Sequence, residues 1–207
     1  MQVAQEQPAA AASPRERILA AARKIFLDGP PEHATMDAVA QEAGMSKKTI
    51  YREFKSQLEL LAALLSENVA DMGEFSAPTP RDDIEIELYG LVMRLVGHMT
   101  SPRSIALFRL IVSEVRRYPE LMQQQHKQPR GLPRQVIAEW LSSPVVRAKY
   151  HIEDAEEAAA MLLGMVTQDA AFKMMLSKGQ APMQPHLLEQ RARKAVAIFL
   201  RGVRKGA

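Results

Sequence analysis

Apolar residues in this chain recur at helical spacing in every long segment, and no run shows the apolar–polar alternation with Asn-Gly or Asp-Gly turns that a hairpin needs. That period points away from a sheet protein. Ser13-Pro14-Arg15-Glu16, Ser56-Gln57-Leu58-Glu59 and Thr79-Pro80-Arg81-Asp82 each set a hydroxyl three residues ahead of an acid. In this pattern side chain and backbone cap each other at a helix start, and two of the three carry Pro at the first helical position, where its missing N–H is harmless. The spacing predicts an all-α fold with helices at 14–28, 36–43, 47–53, 57–75, 81–99, 102–117, 119–127, 133–142, 154–177 and 186–204. Gly29-Pro30-Pro31, Gly44, the Pro-rich stretch 76–80, residues 129–133, Ser142-Ser143-Pro144 and residues 179–182 read as the breaks between them.

Composition narrows the class further. With 47% apolar and 25% charged residues over 207 positions the chain reads as globular rather than disordered or fibrous. It has no Cys, which removes disulfide frameworks, thiol nucleophiles, cysteine zinc sites and iron–sulfur clusters. Residues 1–12 are predicted to be a disordered tail, followed by a small N-terminal domain at 13–60 and a larger C-terminal one at 61–207. No apolar stretch approaches the length of a membrane span and no export signal is recognisable, so the expected location is the cytoplasm, with no membrane partner.

Net charge is +3 and says little as a total, but Lys47, Lys48, Arg52 and Lys55 crowd into one segment against Glu53 alone. This segment is the second of two short helices, 36–43 and 47–53, joined by Gly44-Met45-Ser46. Gly44 can take positive φ there and Ser46 can cap the next helix, the layout of a helix-turn-helix. Ala40, Ala43 and Met45 keep the inner faces small. Ile18, Leu19, Ala22, Ile25 and Phe26 before the motif, with Ile50 and Phe54 after it, supply a three-helix core. At about 100° per residue the second helix sets Lys47, Tyr51, Lys55, Lys48 and Arg52 on one arc of roughly 140°, with Ile50 outside it, Phe54 on its boundary and Glu53 about 100° beyond Arg52. A basic arc with an aromatic, on a helix whose start carries Ser and Thr, suits phosphates and base edges in a major groove. The alternative is a solvated lysine face on a small helical hairpin.

Arg17-Ile18-Leu19-Ala20-Ala21-Ala22, Phe26, Gly29, Thr35-Met36-Asp37-Ala38-Val39-Ala40, the run from Ala43 to Ser56 and Leu60-Leu61 together resemble the N-terminal DNA-binding domain of the tetracycline-repressor (TetR) family. The resemblance implies that Thr35, Ser46, Thr49 and Tyr51, with the variable Lys47, Lys48 and Arg52, meet double-stranded DNA, and that the protein dimerises on a near-palindromic operator. A long helix would join this domain to a helical ligand-binding and dimerisation domain. The chain departs from the family pattern at three positions. Gln57 stands where Lys usually meets a phosphate, leaving Lys55 as the nearest substitute. Leu58 stands where an acid commonly follows, and Glu53 where an aromatic or His is common.

In the C-terminal part, Arg109-Leu110-Ile111-Val112-Ser113-Glu114 followed by Tyr118-Pro119-Glu120-Leu121 is similar to the family's multidrug-efflux and stress-response regulators. Helix 154–177 carries two apolar stripes, Ala158, Leu162, Met165, Phe172 and Leu176 beside Ala159, Leu163, Val166, Ala170 and Met174. The last helix is striped by Leu188, Ala192, Ala195, Val196, Phe199 and Val203. The expected homodimer interface is a four-helix contact through Leu163, Val166, Ala170, Met174, Leu188, Ala192, Ala195 and Phe199; the alternative is a central helix buried within a monomer. A small-molecule effector is expected among Leu91, Leu95, Met99, Phe108, Val112, Trp140, Met161 and Met165, the methionines being able to repack around apolar ligands. Asp169 falls at the centre of the first stripe, where an unpaired carboxylate is costly. Arg109 or Arg116 is expected as its partner, in an ion pair or a ligand anchor. The other function classes find little support: there is no Gly-rich phosphate loop, no nucleophile elbow and no His pair at metal spacing, so no enzyme, cofactor or metal is expected. The sequence thus reads as a ligand-responsive repressor, against a helical small-molecule-binding protein without regulatory DNA binding.

Overall fold

The computed structural model describes residues 12–29, 34–72, 77–81, 83–121, 133–176 and 184–205. Helices run α1 Pro14–Arg23, α2 Met36–Ala43, α3 Lys47–Glu53, α4 Gln57–Met72, α5 Ile84–Met99, α6 Pro102–Glu114, α7 Pro133–Leu141, α8 Pro144–Lys149, α9 Ala155–Leu176 and α10 Pro185–Gly202. No strand forms among the described residues, as the period requires. Side chains cap the helix starts: Ser13, Thr35, Ser46, Asp83, Ser101 and Ser143 each accept a backbone N–H from the first turn. At Ser13 the box is complete, since its own N–H donates to Glu16 Oε2 at 2.7 Å. That bond, with the one from the Ser13 side chain, holds the exposed Glu16 carboxyl below its ordinary value. The cap is therefore present above the unfolded-state value and is lost as pH falls through the folded one.

The chain forms two compact units, Met1–Leu64 and Leu65–Ala207. In the first, α1, α2 and α3 pack mutually around Ile18, Leu19, Ala22, Phe26, Val39, Ala40, Ala43, Ile50 and Phe54, closed by Leu60, Leu61 and Leu64 of α4. α1 does not continue as α-helix to 28: residues Lys24–Asp28 widen into a π turn. Gly29 then lies so close to the Ile25 carbonyl that a Cβ would sit 2.6 Å from the oxygen. α2 ends at Gly44, the described glycine with positive φ (63°). The Gly44 N–H reaches Gln41 O and the Met45 N–H reaches Ala40 O, a Schellman stop that satisfies the last carbonyls of α2 while turning the chain into α3.

In the second unit α9 packs along both α7 and α10, and α10 also packs on α5. Leu88, Leu91, Val92, Leu95, Ile137, Trp140, Leu141, Ala159, Leu162, Val166, Ala192 and Val196 form its core. Among the described residues one antiparallel bridge, Tyr150 with Arg204, closes the end of α10 against the segment after α8. There the His151 N–H donates to Val203 O at 2.7 Å and the Lys205 N–H to Lys149 O at 3.3 Å. Among the described residues no helix is long and apolar enough to cross a membrane.

Several expectations need correction. α5 starts at Ile84 rather than 81, because Asp83, not Thr79, accepts the N–H groups of Glu85 and Ile86. α6 ends at Glu114 rather than 117. Ser142-Ser143-Pro144 is not simply a break: Ser143 caps α8, whose first residue is Pro144. Most of the predicted helix 119–127 lies outside the described residues. Of the residues expected at the dimer contact, Leu163, Val166, Leu188, Ala192, Ala195 and Phe199 are buried within the protomer's own core, where α9 packs on α7 and α10. The side chains of Ala170 and Met174 lie outside the described residues.

A φ of 63° at Gly44 costs an L side chain about 1–2 kcal/mol, and a Cβ there would meet nothing within 4 Å. Gly44→Ala should therefore lower unfolding stability by about that amount, and Gly44→Asn by less. Urea denaturation curves that superimpose with those of the parent chain would contradict this account of the turn.

Candidate nucleic-acid interface

α3 is placed by its two ends and by one buried side. At its start Ser46 Oγ accepts the Thr49 N–H at 3.2 Å and lies 3.0 Å from Thr49 Oγ1. At its end Arg15 of α1 donates to Glu53 O at 3.4 Å while stacking 4.4 Å over the Phe54 ring. Arg17, on the same helix, donates to Ala43 O at 3.0 Å, the last carbonyl of α2. Ile50 and Phe54 are fully buried. What remains outward is the predicted arc: Lys47, Lys48, Arg52 and Lys55 are exposed and Tyr51 is 48% exposed, with Thr49 half-buried. Thr35 caps α2 through Oγ1, which accepts the Ala38 N–H at 3.2 Å.

The charges on this face are not uniform. Lys47 Nζ lies 2.6 Å from Asp37 Oδ2 of α2, and Arg52 Nε lies 3.3 Å from Glu53 Oε1. The angular count separates Glu53 from the basic arc, but the flexible side chains bring its carboxylate onto Arg52. Lys48 and Lys55 are in no ion pair among the described residues. Gln57 does not point free in place of the expected lysine: its amide donates to Ala34 O at 3.4 Å, tying the start of α4 to the residue before the Thr35 cap. Sequence reasoning missed the roles of Arg15, Arg17 and Asp37. The two arginines act on carbonyls, which leave no trace in a residue pattern. Asp37 was hidden because a first-turn acid is already explained by the helix dipole.

The predicted effector residues are not gathered at one place. Leu91, Leu95 and Trp140 lie in the closed core of the second unit, and Met99 and Met165 are half-buried against it. Arg109 is half-buried, whereas Phe108, Val112, Met161 and Arg116 face outward. Asp169 pairs not with Arg109 or Arg116 but with Lys173 at 3.0 Å and Arg191 at 3.8 Å, and Arg191 Nε also donates to Met165 O at 2.7 Å. It thus links successive turns of α9 and ties α9 to α10. Among the described residues, Trp140 Nε1 and Gln135 Oε1 are buried without a hydrogen-bond partner. A groove of about 370 Å³ opens elsewhere, between Asp83, Glu85, Ile86 and Tyr89 of the α5 start and Arg193 and Val196 of α10. No group of three metal-ligating side chains occurs among the described residues.

Comparison with known proteins agrees with this geometry. Residues 18–64 match the family model of bacterial regulatory proteins of the tetR family. Residues 87–202 match that of the C-terminal domain of AefR-like transcriptional repressors. The transcriptional activator FasR of Mycolicibacterium smegmatis is 40% identical over 58 residues, 28% of this chain and 26% of that one. Among the first curated relatives the matched region spans between about a quarter and a half of the relative's length. A TetR-family regulator from Mesorhizobium loti shares the fold at a TM-score of 0.78 and 22% identity, over 93% of this chain and 97% of that one. The flavonoid-responsive regulator FrrA does so at 0.74 and 22%, over 94% and 98%.

Each phosphate neutralised by a lysine adds about 0.9 to the magnitude of the salt dependence of duplex binding. Lys48→Ala should weaken binding and flatten that dependence, or, if Lys48 reads a base edge, cost about 1–3 kcal/mol of discrimination at one base pair. Binding and specificity both unchanged would remove Lys48 from the interface.

Proposed function

The chain belongs to the TetR family of bacterial transcriptional regulators, and from that premise we propose that it is a ligand-responsive repressor. It binds a near-palindromic operator as a homodimer and is released by a small apolar or aromatic molecule. Residues 13–60 are the reading head and residues 61–207 the effector and dimerisation domain; the protein has no catalytic role. The observation that carries this reading is α3 itself, capped at both ends, anchored by Ile50 and Phe54, and turning Lys47, Lys48, Tyr51, Arg52 and Lys55 outward. Thr35, Ser46 and Thr49 at the helix starts add N–H and hydroxyl donors for phosphate oxygens. Selection of genomic fragments by the purified protein tests it. Enrichment of a palindrome with half-sites about one helical turn apart is expected. A chain that binds small molecules but enriches no sequence would be the helical binding protein without regulatory DNA binding.

Dimerisation through α9 and α10 uses their outward side rather than the buried stripes. Met161 on α9 is 60% exposed, and Leu187 and Ile198 share one face of α10, with Ile198 61% exposed. Asp169, Lys173 and Arg191 border it with a polar cluster. The effector enters the second unit, where an acceptor on it would satisfy Trp140 Nε1 and where half-buried Met99 and Met165 can repack. α4, which runs from the reading head into the second unit, transmits the change.

Ile198→Glu should therefore give folded monomers that lose specific operator binding, because two half-sites need a linked pair. Phe199→Glu, at a position 8% exposed, should instead destabilise the second unit by roughly several kcal/mol. Light scattering and thermal melts separate the two, and a wild-type monomer at micromolar concentration would end the dimer reading. An effector that weakens operator binding tenfold must itself bind tenfold more weakly to the operator complex, about 1.4 kcal/mol. Fluorescence of Trp140, the chain's single tryptophan, measures that second affinity. A compound that binds equally well with and without operator is not the inducer.

A further inference from the structure

We propose that Asp37 and Glu53 are positioning residues that sort the cations of the reading face into two kinds. Lys47 and Arg52 are held for guanine edges, and Lys48 and Lys55 are left for phosphates. This deepens the DNA-reading role proposed above and rests on it. Lys47 gives one ammonium N–H to Asp37 at 2.6 Å, and Arg52 gives Nε to Glu53 at 3.3 Å. A cation paired with a carboxylate presents a pair of zero net charge to the duplex, so it contributes less to phosphate neutralisation and counterion release than a free one. It keeps its other donors. Lys47 retains two N–H groups. Arg52, engaged only through Nε, retains the Nη1/Nη2 fork, which matches the paired O6 and N7 acceptors of guanine in the major groove. Lys48 and Lys55, in no ion pair among the described residues, keep their full charge for the backbone.

In both pairs the cation is about two thirds exposed, with Asp37 61% and Glu53 27% exposed, and pairs open to solvent on at least one side add little to stability. A merely structural role therefore predicts that removing either carboxylate leaves DNA binding unchanged. The positioning role predicts the opposite, with a signature in salt dependence. A freed Lys47 or Arg52 becomes one more phosphate contact, so the variant binds random duplex better and discriminates worse.

The test uses the full chain and the operator that wild type selects from genomic DNA, with affinities measured across a salt series for wild type, Asp37→Asn and Glu53→Gln. Each variant should steepen the salt dependence by about 0.9 per protomer and reduce preference for one G·C pair of the half-site by about tenfold, at an unchanged melting temperature. Adding Lys47→Ala to Asp37→Asn should return the salt dependence to the wild-type value. Wild-type salt dependence and wild-type base preference in either single variant would overturn the role of that carboxylate. A flattened salt dependence in Lys47→Ala alone would show Lys47 to be a phosphate contact and overturn the sorting. If wild type itself shows no sequence preference, the repressor reading fails first, an outcome distinct from preference that survives both substitutions.

Discussion

A helix of seven residues is too short to persist alone in water, so everything α3 presents depends on what holds its ends. The Gly44 turn delivers the chain into Ser46, whose hydroxyl satisfies the first turn. Arg15 satisfies the far carbonyl. Arg17 of the same helix closes the preceding one, so α1 holds both the last carbonyl of α2 and that of α3. Ile50 and Phe54 set the rotation of α3 about its own axis by burying one flank. Position, direction and rotation are then all determined by neighbours, and the basic arc is their geometrical consequence.

The second unit answers a different constraint. α9 is apolar on nearly every side, which a surface helix cannot be. α7 and α10 pack along it and bury Ala159, Leu162, Leu163 and Val166, leaving Met161 outward on α9 and the face of Leu187 and Ile198 outward on α10. The polar groups along the α9–α10 seam are tied off locally: Arg191 serves both Asp169 and the Met165 carbonyl. Asp169 is therefore a half-exposed ion pair at the edge of the seam, not an isolated charge within the stripe.

Helical period and hydroxyl caps made the fold class legible, and the family resemblance supplied the division of labour. What period cannot say is which neighbour covers a stripe. Leu163 and Phe199 look the same on a helical wheel whether a partner copy or α7 and α10 lie opposite, and only the three-dimensional packing decides. Local competition was also invisible. Thr79 and Asp83 both offer a cap within one turn, and Asp83 prevails at the residues that become helical. Ser143-Pro144 reads as a break or as a start with equal justice until a helix is seen to follow. The reading face was legible as an arc of charges but not as a set of pairs. Lys47 and Asp37 are ten residues apart and meet only because the Gly44 turn folds α3 back onto α2.

The bridge between Tyr150 and Arg204 has a consequence for how the second unit comes apart. Helix ends ordinarily fray, and amides near them exchange with solvent through small local openings. Here the N–H groups of His151 and Lys205 are engaged across the bridge, and the Lys205 ammonium adds a third link to Arg147 O at 2.7 Å. The segment that follows the last turn of α10 is thus held at three points to the residues around the end of α8. Opening of α10 from this side is thereby opposed, a latch rather than a loose thread.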